Sequence, residues 1–283
     1  MKLTRLAAFA ALSFSVEAAS VRVVGSDSII VLASSWAEAF GAPVEVSGGG
    51  SGIGVAALIN GSADIATVAR PLDESENQEL TKRFGAAPVV TKVAYDALAV
   101  FVHKDNPVSK ITIGELREIY IAGGKIDNWS QLGGKAPSKI APLVRHSNSG
   151  ALVYFREAVL GKRAEFKEGM RGFSTGADIV LLIEVTPTAI GFALPSNQRD
   201  GVKPLALSAA PDRESVIPTG KTIRDGTYPI SRPLYFVSSP KASAETKKFI
   251  EFVLSKEGQS FAEKQGYTPL GDALEISRKQ KPH

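Results

Sequence analysis

Three times in this chain a short β-forming run ends in glycine and serine and gives way at once to helical spacing. The corners are Gly25-Ser26-Asp27-Ser28, Gly48-Gly49-Gly50-Ser51-Gly52-Ile53-Gly54 and Arg145-His146-Ser147-Asn148-Ser149-Gly150. Corners this tight commit a chain to alternating strands and helices packed in layers. The flanking residues agree. Residues 21–24 are β-branched and basic, and residues 28–40 carry Ile29, Leu32, Trp36 and Phe40 at helical spacing. Residues 44–46 and 64–68 read as strands around a helix at 52–60. This alternation predicts an α/β fold with a largely parallel sheet.

Residues 94–103 form a long apolar stretch rich in β-formers. Thr112 with Glu115 three residues on is a capping box that opens a short helix. Residues 123–134 read as a loop holding Asn128-Trp129, residues 140–144 as a strand and 150–160 as a helix. Residues 189–193 form a further strand, and 195–226 read as irregular and polar. Residues 228–236 are extended and limited by Pro229 and Pro233, while 244–254 and 256–264 are amphipathic helices. Residues 277–283 form a charged tail, expected to be loose.

The first residues read as an address. Lys2 and Arg5 precede an apolar run at 6–16, and small residues follow at Ala18 and Ala19. Residues 1–19 are predicted to be a secretory signal peptide, because the apolar core is too short to span a bilayer. The remaining chain has no run of transmembrane length. With 283 residues, a core can form without staples, and the sequence has no cysteine to provide any. Lys and Arg number 33 against 29 Asp and Glu, scattered without a basic run, so nucleic acid is not an expected partner.

The corners share one chemistry. A helix start has four unpaired N–H groups and roughly half a positive charge. Serine adds hydroxyl donors, and glycine lets backbone approach a ligand. Arg145 adds a planar fork suited to oxyanions. Any one corner alone is better explained by ordinary capping; three with an arginine leave capping and anion binding equally open. Enzyme signatures are weaker. No Lys-Ser/Thr follows the glycines, so there is no phosphate-binding nucleotide loop, and Gly49-Gly50-Ser51-Gly52-Ile53 lacks the last glycine of a nucleophile elbow. His103, His146 and His283 are the only histidines and show no metal-ligand spacing. No metal or cofactor is expected.

Residues 47–54, followed by Leu58-Ile59-Asn60-Gly61-Ser62-Ala63-Asp64-Ile65-Ala66 and Arg70-Pro71-Leu72, resemble the periplasmic phosphate-binding proteins of ABC importers. Residues 96–102, 126–134 and 228–235 extend the likeness through the chain in order. The resemblance implies a two-lobed type II periplasmic binding protein fold with the ligand cleft between lobes joined by two hinge strands. The crossings are expected near 95–102 and 231–236. Lobe one would comprise 20–95 and 236–283, and lobe two 96–235.

Position by position, the resemblance implies that Asp27 through its amide, Ser28, Ser51, Arg145, Ser149 and the amides of Gly150 and Ala151 hold phosphate. Gly50 and Arg70 are further candidates; Arg70 could add charge or brace the cleft through an ion pair. Two positions depart from the family pattern. Ala69 stands where the best-known members have the aspartate that accepts phosphate's proton, and Ala151 where a threonine is usual. The resemblance implies a monomer in the periplasm that captures inorganic phosphate, delivers it to an ABC permease and makes no bond. Sulfate or arsenate is the alternative ligand the two alanines leave open, and a phosphate-sensing role on the same fold is the other alternative. A five-atom ligand at ~1.5 kcal/mol per atom permits roughly micromolar affinity.

Overall fold

The computed structural model describes residues 20–134, 138–147 and 149–271. The expected signal peptide, the tail at 277–283 and Asn148 of the third corner lie outside the described residues. The chain opens with β1 (Val21–Gly25), α1 (Ile30–Phe40), β2 (Val44–Ser47), α2 (Ser51–Asn60), β3 (Ile65–Val68), α3 (Glu74–Phe84) and β4 (Val89–Ala97). The middle follows with β5 (Ala99–His103), β6 (Lys110–Thr112), α4 (Ile113–Tyr120), β7 (Ala141–Arg145), α5 (Gly150–Phe155), β8 (Arg171–Phe173), α6 (Gly176–Glu184) and β9 (Ala189–Ala193). It continues through β10 (Val202–Pro204), β11 (Ala206–Ser208) and α7 (Gly220–Arg224), and ends with β12 (Ser231–Ser238), α8 (Ala244–Leu254) and α9 (Lys256–Lys264).

Two five-stranded sheets make two lobes. One has the order β2-β1-β3-β12-β4, the other β10-β5-β9-β7-β8, and β6 and β11 form a separate parallel pair. The expectation of largely parallel sheets is corrected. β1 runs parallel to β2 and β3, but β12 is antiparallel to both β3 and β4. In the second sheet β7 is parallel to β8 and β9, while β5 is antiparallel to β9 and β10. The reason is connectivity. A chain that leaves a lobe and later returns must carry strands in both directions.

The apolar stretch at 94–103 is two strands, not one. It breaks at Leu98, where the chain passes from the first sheet to the second, and it returns at Ile230. The Leu98 amide donates to the Ile230 carbonyl at 3.1 Å, and the buried Tyr228 hydroxyl donates to the Leu98 carbonyl at 3.0 Å. The first sheet therefore includes Asp96, Ala97 and the start of β12. Residues 195–226 hold β10, β11 and α7 where irregular chain was expected.

Each lobe has its own core. In the first, Trp36 meets Phe236 edge-on and donates its indole N–H to the Gly258 carbonyl at 2.7 Å, tying α1 to α9. Gln259 is buried and fully engaged. Its amide nitrogen donates to the Val93 and Val253 carbonyls, and its oxygen accepts from the Leu270 amide. In the second lobe Phe155 stacks on Phe192 at 3.9 Å between ring centroids and meets Tyr120 edge-on at 4.9 Å. Burying such aromatic surface supplies most of the packing energy of a small core.

Candidate functional site

A cleft of about 580 Å³ opens where the two lobes meet. Its walls include Ser26, Asp27, Ser28, Gly50, Ser51 and Gly52 from the first lobe, and Ser147, Gly150, Tyr154 and Glu157 from the second. Ala69, Arg70, Val153, Lys162 and Arg232 complete it. The lobes come close at one point: a Cβ built on Gly150 would lie 3.6 Å from the Ser28 hydroxyl oxygen.

The helix starts around this cleft differ from the others. α3, α4, α6, α7, α8 and α9 each close their N-terminus with a side chain: Asp73, Thr112, Thr175, Thr219, Ser243 and Ser255. α1, α2 and α5 have no side-chain cap among the described residues. Those are the helices that follow the three glycine/serine corners. Their first-turn N–H groups lack partners within the helix by construction. The Asp27 and Ser28 amides, just ahead of α1, donate to no described residue. Gly50 precedes α2 with φ at +100°, a conformation that side chains rarely tolerate, and its amide is held by the Gly25 carbonyl at 2.9 Å.

The serine hydroxyls are arranged in the same sense. Ser51 Oγ accepts from the Ala69 amide at 3.2 Å, and Ser28 Oγ accepts from Arg232 Nη2 at 2.7 Å. Neither hydroxyl donates to a described residue, so each has an O–H donor without a partner among them. Asp27 turns its carboxylate to the Gly49 amide at 2.9 Å and so ties the first corner to the second. The cleft thus presents donors, which suits an anion.

The cations are placed differently from one another. Arg70 forms a two-pronged ion pair with Glu76, at 2.7 and 2.6 Å, and also donates to the Pro71 carbonyl. The Arg70 guanidinium holds the Glu76 carboxyl below its ordinary range. Arg145, expected at the ligand, donates from Nη2 to the Ser174 carbonyl at 2.6 Å and is not among the lining residues. Its Nε is buried without a partner among the described residues, and burial lowers its pKa while Asp178 partly offsets this. Ser149 and Ala151 also stand at the start of α5 without lining the cleft. Asp27, Ser28, Gly50, Ser51, Arg70 and Gly150 do line it.

Arg232 escaped the sequence reading. It sits opposite Asp96 in the register of β12 on β4 and donates to Asp96 Oδ2 from Nη2 at 3.1 Å and from Nε at 3.3 Å. Its guanidinium lies 3.6 Å from the centre of the Tyr154 ring. Burial raises the Asp96 carboxyl above its ordinary range, and the guanidinium beside it offsets only part of that rise. The readable signal was a lone arginine in a strand whose other residues are mostly apolar.

Comparison with known proteins bears on the fold and the family. A family model described as a PBP superfamily domain matches residues 14–257. The chain is 32% identical over 266 residues to the phosphate-binding protein PstS of Pseudomonas aeruginosa, covering 87% of this chain and 82% of that protein. Its fold matches the crystal structure of a possible phosphate binding protein from Planctomyces limnophilus with a TM-score of 0.82 and 26% identity, over 93% of this chain and 96% of that one. An ABC-type phosphate transport receptor from Vibrio cholerae matches with a TM-score of 0.71 and 28% identity, over 87% and 98%. The chain belongs to the PBP superfamily and, within it, to the family of the phosphate-binding protein PstS.

Proposed function

We propose that this chain is a periplasmic solute-binding protein that captures inorganic phosphate and delivers it, as a monomer, to an ABC permease. The observation that carries this reading is the contrast in capping. Six helices close their own N-termini with a side chain, while the three that start at the cleft show no such cap among the described residues. Ser28 and Ser51 direct their remaining hydrogen-bonding capacity outward as donors. The names of the relatives support phosphate as the ligand.

In this reading the anion takes amides of Asp27, Ser28 and Gly150 and the Ser28 and Ser51 hydroxyls, while the Gly50 amide stays with the Gly25 carbonyl and shapes the corner. The lobes rotate about Leu98 and Ile230, where dihedral change at a few positions suffices. Arg145, whose Nε has no partner among the described residues, approaches the anion from the second lobe together with Ser149 and Ala151. No bond is made or broken; selectivity rests on which donors and acceptors meet the ligand.

One observation favours a second ligand. Ala69 is buried beside Ser51 and brings no carboxylate to accept phosphate's proton. A different tetrahedral oxyanion is therefore the alternative. Calorimetric titration of anion-stripped protein with phosphate, with and without excess sulfate, tests both. Stoichiometric binding that persists in sulfate is expected. Heat abolished by sulfate would assign the cleft to oxyanions in general, and no heat at all would overturn the reading.

A further inference from the structure

We propose that Arg232 is a ligand-binding residue of the cleft, a cation supplied by the crossing strand β12 and held in place by Asp96. This rests on the oxyanion-binding reading and adds a specific residue to it. The resemblance that guided the sequence reading placed no ligand on this strand.

The guanidinium still has a donor to give. Arginine carries five N–H donors in a fixed planar fork. Nε and Nη2 are engaged by Asp96, and Nη2 also donates to Ser28. Nη1 donates to no described residue, although the side chain is only 16% exposed and lines the cleft. Arg70 makes a useful contrast, because both of its terminal nitrogens are taken by Glu76 and Pro71. Arg232 is the one whose fork keeps a free edge at the cleft.

The partners of Arg232 prepare the same edge. Asp96 is buried and binds Nε and Nη2 through one carboxylate oxygen, which fixes the plane of the fork. The Tyr154 ring supports one face of that plane. Ser28 accepts from Nη2, so its own O–H is left beside the free Nη1. A hydroxyl and a guanidinium edge side by side form a two-donor clamp for a tetrahedral oxyanion. Asp96 acts through Arg232 and is a positioning residue.

The location also gives the contact consequences for both lobes. Ser28 belongs to the first lobe, Tyr154 to α5 of the second, and Arg232 lies two residues beyond the crossing at Ile230. An anion bound here touches the point about which the lobes turn. The competing account is a brace, in which the ion pair only locks β4 to β12.

The test is phosphate titration of wild type, Arg232→Gln, Arg232→Lys and Asp96→Asn at two ionic strengths, with melting curves recorded in phosphate-free buffer. Loss of a charge-assisted pair should weaken binding about 10–150-fold in Arg232→Gln. Arg232→Lys should fall between that variant and wild type and keep the salt dependence that Arg232→Gln loses. Asp96→Asn should weaken binding several-fold with the salt dependence intact. Wild-type affinity in a folded Arg232→Gln, whatever its melting temperature, overturns the proposal and leaves the brace. If Arg232→Gln does not fold, wild-type affinity in Arg232→Lys does the same, because an ammonium cannot reproduce the fork. If wild type gives no heat with phosphate, the phosphate reading fails, and the variants are read with sulfate and arsenate. Absence of binding to all three overturns the assignment of Arg232 as well.

Discussion

Gly54 of α2 packs directly against the backbone of Val24 in β1: a Cβ at position 54 would stand 2.5 Å from the Val24 carbonyl oxygen. That contact sets how far the start of α2, and Ser51 with it, reaches into the cleft. Gly54→Ala should push the helix outward and cost about 1–3 kcal/mol, the usual range for overpacking. In a chain of this size that lowers the melting temperature by roughly 2–4 °C per kcal/mol. Phosphate affinity should fall as well, because the Ser51 hydroxyl moves. Gly52 faces open space, so Gly52→Ala is the control for stability. Equal melting temperatures for both variants would show that α2 does not depend on the contact.

Asp27 places a carboxylate at the edge of a site proposed to hold an anion. Its oxygen accepts from the Gly49 amide, and that bond joins two of the corners. The two effects oppose each other and can be separated. Asp27→Asn keeps an acceptor and removes the charge, so phosphate should bind a few-fold tighter at low salt, and the gain should shrink as salt screens it. Asp27→Ala removes both, frees Gly49 and should bind more weakly than Asp27→Asn. Titrations at two ionic strengths decide; an asparagine variant that binds no tighter than wild type would show that the carboxylate does not act on the ligand.

The Arg70–Glu76 pair predicts a dependence on pH. Glu76 has a folded pKa lowered from 4.5, chiefly by its hydrogen bond to Arg70. A lowered carboxylate contributes stability that is present above its unfolded value and is lost as pH falls through its folded value. Arg70→Gln should therefore be less stable than wild type at neutral pH, by up to about 1 kcal/mol given the partly exposed arginine. The gap should narrow below pH 4.5 and close once Glu76 is protonated in both proteins. A gap that stays constant across the acid range would assign the loss to packing instead.

What the sequence made legible was local. The Thr112–Glu115 capping box and the two terminal helices are recorded within a few consecutive residues, and the structure shows them at those places. The glycine/serine corners were equally readable, because a strand-to-helix turn is a short-range event. Helix α3 was missed although Asp73 and Glu76 form a full capping box, since its only buried residue is Leu80 and an apolar stripe is nearly absent. Arg232 was missed for another reason. Its partner Asp96 lies 136 positions earlier, and only the pairing of β12 with β4 brings them together. The break at Leu98 is likewise a matter of tertiary connection, as the residues on both sides are equally apolar and buried.

The second lobe offers a test of how far the core supports the cleft. Phe155 ends α5 and is fully buried against Phe192 and Tyr120; beyond it the backbone widens into a π-helical turn at Arg156–Leu160. The start of the same helix brings Gly150 beside Ser28. Phe155→Ala should cost about 3–5 kcal/mol through lost burial and the cavity left behind, and Phe155→Leu less. If the ring also fixes α5 in place, Phe155→Leu should weaken phosphate binding in the folded protein by the fraction of molecules in which the helix start is displaced. Urea unfolding with and without phosphate separates the two effects, because a ligand that binds only the folded state stabilises it by RT ln(1 + [L]/Kd). Phosphate should then raise the midpoint of Phe155→Leu by less than it raises that of wild type. An equal rise, with only the starting midpoint lowered, would mean that the aromatic stack holds the lobe together without setting the position of the ligand's donors.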